Sequence, residues 1–158
     1  MDTTRIDETL AIQLPEGFRV MDKAEVQKAF SLDYQNLWGA WDEGRHILLA
    51  IVWKDAPKLL GKLVSTEDLV DRAQKSLNKS YGTSGYHLDG RFDTQIAGCE
   101  AKGISYGYLV KDISQDGEVI IFRHGRRTYT LYYYAHTELA EQSQPIHDAL
   151  LESFAFEG

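Results

Sequence analysis

The sequence predicts an α/β protein of the α+β kind, an α/β/α sandwich in which helices flank a central, mainly antiparallel sheet. Three segments, at residues 47–53, 119–122 and 129–135, carry large apolar side chains at both alternating positions, which is typical of strands covered on both faces. Short turns connect the strand-like segments of the second half, as antiparallel neighbours require. Two long segments have the apolar spacing of helices.

Length and composition fit one globular domain over residues 1–158, since 43% of the residues are hydrophobic and 26% are charged. The net charge of −7 opposes non-specific attraction to nucleic acid and to anionic membranes, and we expect neither as a partner. The longest apolar run, residues 47–53, is far shorter than a membrane span. An acidic N-terminus without a signal-peptide pattern and a single cysteine predict a cytoplasmic protein.

The first elements are a strand and a short helix. Leucine and isoleucine alternate with other residues at Leu10, Ile12 and Leu14, the period of a strand. Asp22 and Glu25 have the spacing of a capping box and predict that a helix begins there. The apolar face of this helix is expected to contain Val26, Ala29 and Phe30.

Next come two strands and the clearest helix. Residues 37–54 predict two strands joined by a tight turn at residues 42–44. Ser65 and Asp68 form a second capping pattern at the start of a helix that runs to about residue 81. Its predicted buried stripe is Leu69, Ala73 and Leu77.

The rest of the chain predicts four antiparallel strands and a helix. The strands are expected at residues 90–96, 99–111, 118–123 and 127–135, with turns at 97–98, 115–117 and 124–125. Thr137 is the expected N-cap of the last helix, and Pro145 predicts a kink or a restart. The stripe of this helix is expected to be Ile146, Leu150 and Phe154.

The segment "FRHGRRTYTLYYYAH" is the one basic concentration in this acidic chain. Arg123, His124, Arg126 and Arg127 could bind an anion or a protein partner, or could form a solvated hairpin tip. Alternation places the stem of Arg127 along the covered face that holds Tyr129 and Tyr133, and Arg126 on the opposite side. The three arginines are therefore not expected to line one pocket, and the tyrosines are interpreted mainly as packing.

A second candidate surface is a cleft lined by Trp38 and Trp41, against the alternative that both rings belong to the core. No catalytic constellation is evident. We expect Cys99 to have no histidine nitrogen within hydrogen-bond reach, and the histidine and cysteine spacings predict no metal site. We therefore predict no catalytic residue, no cofactor and no enzyme.

Four segments carry a family resemblance: "IQLPEGF", "IAGCEAKGISYGYLV", "GEVIIFRHGRRTYTLYYYAH" and "IHDALLESFAF". On these, the chain resembles the Mog1/PsbP-like superfamily, and its bacterial branch in particular. The resemblance implies one Mog1/PsbP-like domain whose antiparallel sheet has helices on both faces. Members of the superfamily include a Ran-binding factor, a photosystem II extrinsic subunit and secretion chaperones, which are binding or assembly roles.

Two hypotheses about function follow. The first is a non-enzymatic adaptor or chaperone-like module that binds another protein. The second is a small-molecule binding protein or a cryptic enzyme with a pocket between the sheet and a helix, for which Trp38, Trp41 and a tyrosine would supply the lining.

Overall fold

The computed structural model describes residues 2–30, 34–56 and 65–157. Within these residues the chain forms ten strands and three α-helices. The strands are β1 (Asp2–Arg5), β2 (Leu10–Leu14), β3 (Arg19–Met21), β4 (Leu37–Asp42), β5 (Ile47–Asp55), β6 (His87–Ile96), β7 (Cys99–Val110), β8 (Ile113–His124), β9 (Arg127–His136) and β10 (Ala155–Phe156). The helices are α1 (Lys23–Phe30), α2 (Thr66–Tyr81) and α3 (Ala140–Ser153).

The strands form two antiparallel sheets. The larger contains seven strands in the order β3-β4-β5-β9-β8-β7-β6, and the smaller contains three in the order β1-β2-β10. The central strands of the large sheet are β5, β9 and β8, which are the three that the sequence predicts to be covered on both faces. The predicted class, α+β with a mainly antiparallel sheet and flanking helices, is confirmed.

The two faces of the large sheet have different covers, and each cover includes helix, as the predicted α/β/α sandwich requires. On one face α1 and α2 pack through Val26, Phe30, Val70 and Leu77. On the other face the small sheet packs through Leu10, Ile12 and Leu14, beside Leu150 of α3. The second layer is thus a sheet and a helix together, because the residues around β2 and β10 form their own antiparallel pairs.

The strand β9 separates the two cores as its alternation predicts. Tyr129, Leu131, Tyr133 and Ala135 belong to the core under the small sheet and α3. Tyr132 and Tyr134 face the other core, under α1 and α2. The tyrosine run is therefore packing, as predicted, and the hydroxyl of Tyr106 donates a 2.9 Å hydrogen bond to that of Tyr134.

Both predicted capping patterns are present. The Glu25 N–H donates to the Asp22 carboxylate, and the Asp22 N–H donates to Glu25, which completes a capping box at α1. The Asp68 N–H donates to the Ser65 hydroxyl at α2. The predicted faces are partly wrong: Ala29 is exposed, and the buried residues of α2 are Val70 and Leu77, while Leu69 and Ala73 are half-buried.

Three turns differ from the sequence prediction. The β4–β5 loop covers residues 43–46, where His46 has a φ of 58°. The β7–β8 turn is Lys111-Asp112, with φ values of 49° and 66°, and residues 115–117 lie inside β8. The β8–β9 turn is Gly125-Arg126, one residue later than predicted, because His124 still pairs with Arg127.

The last helix also differs in detail. A 3-10 turn at Thr137–Leu139 precedes α3, and the Thr137 hydroxyl donates to Asp116 at 2.8 Å instead of capping the helix. The predicted restart at Pro145 is wrong, since the helix continues through this residue. No helix within the described residues is long and apolar enough to cross a membrane.

Candidate binding surfaces

The basic hairpin is built around an ion-pair network at Arg127. Its Nε and Nη2 donate to the two carboxylate oxygens of Asp55 at 2.6 and 2.9 Å. Its Nη1 donates to Asp7 at 2.9 Å and to Glu8 at 2.6 Å. Asp7 also accepts from the Tyr129 hydroxyl at 2.6 Å. Arg127 thus lies on the covered side with Tyr129, as predicted, but three acids that the sequence reasoning missed surround its head.

Hydrogen bonds in this network stabilise the ionised forms of Asp7 and Arg127. Burial disfavours the ionised Asp7, but hydrogen bonds from Tyr129, from the backbone N–H groups of Leu10 and Thr9, and from Arg127 outweigh it, so the pKa of Asp7 is lowered. Hydrogen bonds to Asp55, Asp7 and Glu8 raise the pKa of Arg127. Arg127 is therefore engaged with three acids of the same chain and is not available as an anion site.

The other basic residues of this hairpin have different surroundings. Arg123 is half-buried and donates to the Thr128 hydroxyl at 3.1 Å, while the Arg126 side chain is exposed in the turn. The His124 ring stacks on Phe156 with ring centroids 3.9 Å apart. Arg123, His124 and Arg127 thus make the contacts described here with different residues.

Cys99 contradicts its sequence prediction. Its Sγ lies 4.0 Å from Nδ1 of His124, the outer limit for a hydrogen bond to sulfur, although no histidine was expected there. Register accounts for the approach, because Cys99 begins β7 next to the end of β8 that holds His124. Burial raises the pKa of the Cys99 thiol, which disfavours the reactive thiolate form.

Trp38 and Trp41 lie on opposite faces of β4. Trp38 is buried in the core under the small sheet, and Trp41 packs at the edge of the core under α1 and α2. The guanidinium of Arg19 lies 5.3 Å from the centroid of the Trp41 ring. The predicted cleft lined by both rings is wrong, because residues three positions apart on a strand point to opposite sides.

A cluster of exposed apolar side chains lies at the other end of β8. Among the described residues, six large hydrophobic side chains are exposed, and four of them lie around the β7–β8 turn and the start of β6. These four, which we call the apolar end, are Leu88, Leu109, Val110 and Ile113, each 42–45% exposed. Val110 and Ile113 are directly paired, so their side chains are neighbours on one face.

The apolar end exists because the β7–β8 hairpin is longer than the helix that covers it. Tyr106, Tyr108 and Val110 form one row along β7, and their exposure rises from 0% to 7% to 45%. Tyr81, the last residue of α2, stacks on Tyr108 with centroids 4.3 Å apart. Beyond Tyr108 the helix has ended, and Val110 reaches solvent. In the sequence, this exposed site corresponds to Val110 and Ile113, the apolar residues on either side of Lys111-Asp112.

The large sheet ends at β6, whose outer side pairs with no other strand in the part of the chain that the structure describes. Arg91 of β6 binds Asp71 of α2 at 2.7 Å, and Lys102 of β7 binds Asp93 of β6 at 3.1 Å. Two open grooves of about 210 and 510 Å³ lie between the first turn of α2 and the strands β6 and β7. Their lining is mostly charged or polar, and neither contains Trp38 or Trp41.

One buried polar group was also missed. His147 of α3 is buried, with Nε2 2.6 Å from Glu118 and Nδ1 3.1 Å from Asp148. Burial disfavours the charged imidazole, but the bonds to Glu118 and Asp148 outweigh it and raise the pKa of His147. The ring also packs edge-on against Tyr133. Within the residues that the structure describes, no three histidine, cysteine or acidic side chains converge as metal ligands.

Comparisons with known proteins agree on the fold. No family model matches the chain, and no curated protein matches it significantly. It is similar to the solution structure of the cyanobacterial PsbP protein CyanoP from Synechocystis sp. PCC 6803, with a TM-score of 0.67, 15% identity, and coverage of 94% of this chain and 86% of that one.

Two further structures extend the agreement. LpqN of Mycobacterium tuberculosis, described as involved in cell envelope biogenesis, gives a TM-score of 0.64 at 10% identity over 96% of this chain and 87% of that one. The Ran-binding protein Mog1p of Saccharomyces cerevisiae gives 0.53 at 8% identity, covering 92% and 88%. The chain therefore has the Mog1/PsbP-like fold.

Proposed function

We propose that this protein is a non-enzymatic binding module that recognises a partner protein through the apolar end. The observation that carries the proposal is the directly paired and exposed side chains of Val110 and Ile113 at the tip of the β7–β8 hairpin of an acidic protein, with Leu88 and Leu109 also exposed in this part of the sheet. Single exposed apolar residues are ordinary on protein surfaces, whereas a cluster of them marks an interaction site.

The chemistry of the tip fits a protein partner with an apolar pocket. The side chains of Val110 and Ile113 project together beside a charged turn, Lys111-Asp112. An apolar centre with a polar rim is the usual anatomy of a protein interface. The hairpin is also well anchored, because β7 and β8 pair over ten residue positions. A rigid tip loses little conformational entropy on binding.

The fold is compatible with this role. Mog1p, whose structure is similar, is described as a Ran-binding protein, so the same fold serves protein binding in that case. The single cysteine fits our expectation that the partner is met in the reducing cytoplasm. The partner itself is expected to differ, since the identity to Mog1p is only 8%.

Photo-crosslinking tests the proposal. A photoreactive amino acid replaces Val110 at the apolar end, and in a matched control it replaces Val20 of β3, which is exposed to the same degree, 44% against 45%. We expect a specific protein adduct in source-organism lysate from position 110 alone. The captured protein is then purified and titrated against wild type, the double variant V110S/I113S and the control V20S.

The double variant should weaken binding by at least about tenfold, because burying each aliphatic side chain contributes about 1.5–3 kcal/mol. The control V20S should bind like wild type. Equal adducts from both positions, or equal affinities of wild type and V110S/I113S, would contradict the proposal.

The small-molecule or enzymatic alternative receives less support. Ligand sites are mostly apolar and concave, whereas the two grooves beside β6 are open and lined by charged side chains such as Glu67, Asp93 and Lys102. The raised pKa of Cys99 also disfavours a nucleophilic role for its thiol. We therefore propose no substrate and no cofactor.

A further inference from the structure

We propose that two copies of this chain associate through β6, as antiparallel strands about a two-fold axis at Phe92. The large sheet has β6 at its end, and within residues 2–30, 34–56 and 65–157 no strand pairs with its outer side. Every second residue of such a strand directs its N–H and C=O groups outward. A second β6 supplies the missing hydrogen bonds and would join the two sheets into one.

The charges of β6 select one register for this pairing. In a symmetric pair, centring on Phe92 places Arg91 of each copy opposite Asp93 of the other. Centring on Arg91 places Arg91 opposite itself and Asp89 opposite Asp93, and centring on Asp93 places that acid opposite itself. Like charges directly opposite are destabilising. Centring on Gly90 would also pair opposite charges, but the irregularity at the start of β6 interrupts the strand there.

Ion pairs already present in one chain extend into this register. Arg91 and Asp93 lie on the same face of β6, where Arg91 binds Asp71 and Asp93 binds Lys102. Pairing about Phe92 brings these two ion pairs side by side across the axis. Across the interface, Asp71 and Arg91 of one copy are followed by Asp93 and Lys102 of the other copy. Negative and positive charges therefore alternate along this row. The two-fold axis generates a second, equivalent row of four charges.

The charge pattern indicates a second copy as the occupant of this edge. The two central ion pairs form when the strand meets its own sequence in the opposite direction. Charged side chains on an edge strand also prevent indiscriminate pairing, so the same residues that permit one register disfavour the others. The net charge of −7 repels two copies at a distance, but screening at physiological salt limits that repulsion to about 8 Å.

Charge exchange tests both the association and its register. The purified chain is examined by sedimentation velocity over a wide concentration range, and a monomer–dimer equilibrium is expected. R91D places Asp opposite Asp93, and D93R places Arg opposite Arg91, so each variant alone should weaken the dimer by at least about tenfold. Mixed in equal amounts, the two variants regain opposite charges at both central pairs and should form a heterodimer.

Two further variants separate pairing from folding. R91D/D93R in one chain restores complementarity and should dimerise like wild type. K28D makes the same change in net charge as R91D, but on the exposed face of α1, and should also dimerise like wild type. Circular dichroism of R91D checks that loss of the Asp71 and Gln74 contacts leaves the fold intact, and formation of the heterodimer shows it directly.

Four results would overturn the inference: a wild type that stays monomeric at the highest concentration, single variants that dimerise like wild type, a mixture that does not form the heterodimer, or dissociation by K28D. The test is independent of the proposed partner at the apolar end, since Val110 and Ile113 are unchanged in every variant.

Discussion

The two ends of β8 differ in which side chains are exposed and which make contacts within the chain. At the His124 end lies the most basic segment of the chain, and its Arg127 contacts Asp7, Glu8 and Asp55. At the Ile113 end the residues are aliphatic, and they remain exposed. The arginine of the charged segment is thus engaged in ion pairs within the chain, whereas the aliphatic residues are presented to solvent.

Under the proposed function, the binding surface is formed by side chains that lack internal contacts, and not by the most strongly charged segment. The Arg127 head meets three acids because the β1–β2 turn and the end of β5 both reach the β8–β9 hairpin. The Val110 side chain lies beyond the last residue of α2, which covers the rest of its row. The following predictions test the two ends, from the largest expected effect to the smallest.

The largest effect is expected from R127M, which keeps the apolar stem but removes the charge. Asp7, with a side chain only 1% exposed, then loses its ion pair, and the free energy of unfolding should fall by about 3 kcal/mol. The matched control is R5M, since Arg5 is 60% exposed in a single ion pair with Glu157 and should contribute less than about 1 kcal/mol. Urea denaturation measures both, and equal losses would mean that Arg127 is an ordinary surface residue.

Asp7 makes the same end sensitive to acid. Because its pKa is lowered from 3.8 in the folded chain, its contribution is present above about pH 4 and is lost as the pH falls through the folded pKa. D7N should cost about 2 kcal/mol at pH 7, as for hydrogen bonds to charged groups. The difference in unfolding free energy between wild type and D7N should shrink below pH 4, and a constant difference would contradict the assignment.

The contact between His147 and Glu118, in the middle of β8, should lose its stabilising contribution as the pH rises. The pKa of His147 is raised above 6.5 in the folded chain, so its contribution is complete below pH 6.5 and is lost as the pH rises through the folded pKa. H147Q, which removes the charged partner of Glu118, should cost about 1 kcal/mol at pH 6 and less at pH 9. Thermal unfolding at the two pH values measures this, with D7N as a variant whose cost should not fall at pH 9.

The smallest effect is expected at the exposed end. I113A should change the free energy of unfolding by no more than about 0.5 kcal/mol, as for other surface substitutions. Ile120 lies on the same strand and is fully buried, so I120A should cost about 2–5 kcal/mol. A large loss from I113A would mean that the apolar end supports the fold and is not a free surface.

The sequence predicted those features that depend on residues close together in the chain. The two-faced apolar strands, the capping residues Asp22 and Ser65, and the split of the β9 tyrosines between two cores follow from spacing along the chain. The Arg127–Asp7 contact joins residues 120 positions apart, and no spacing rule relates them. The candidate surface at the basic hairpin was proposed without knowledge of these acids.

The misplaced β7–β8 turn has an instructive cause. Asp116-Gly117 is ordinary turn chemistry, but here Gly117 lies inside β8 because the Tyr106 ring packs over it. A Cβ at this position would lie 2.5 Å from Cζ of Tyr106. The glycine therefore serves a cross-strand contact, and the actual turn uses Lys111-Asp112, which lack glycine. Because the sequence analysis placed the turn at residues 115–117, it did not identify Val110 and Ile113 as an exposed pair beside the turn.

The small sheet has a consequence for how the chain folds during synthesis. One neighbour of β2 is the adjacent β1, but the other is β10, where Ala155 and Phe156 pair with Ala11 and Leu10. A ribosome therefore releases the apolar strand β2 long before its second neighbour exists. Contacts between distant segments form slowly because the intervening chain must first be ordered. We expect amide hydrogens of β2 to gain protection late in refolding, after those of β8 and β9, in pulse-labelled hydrogen exchange.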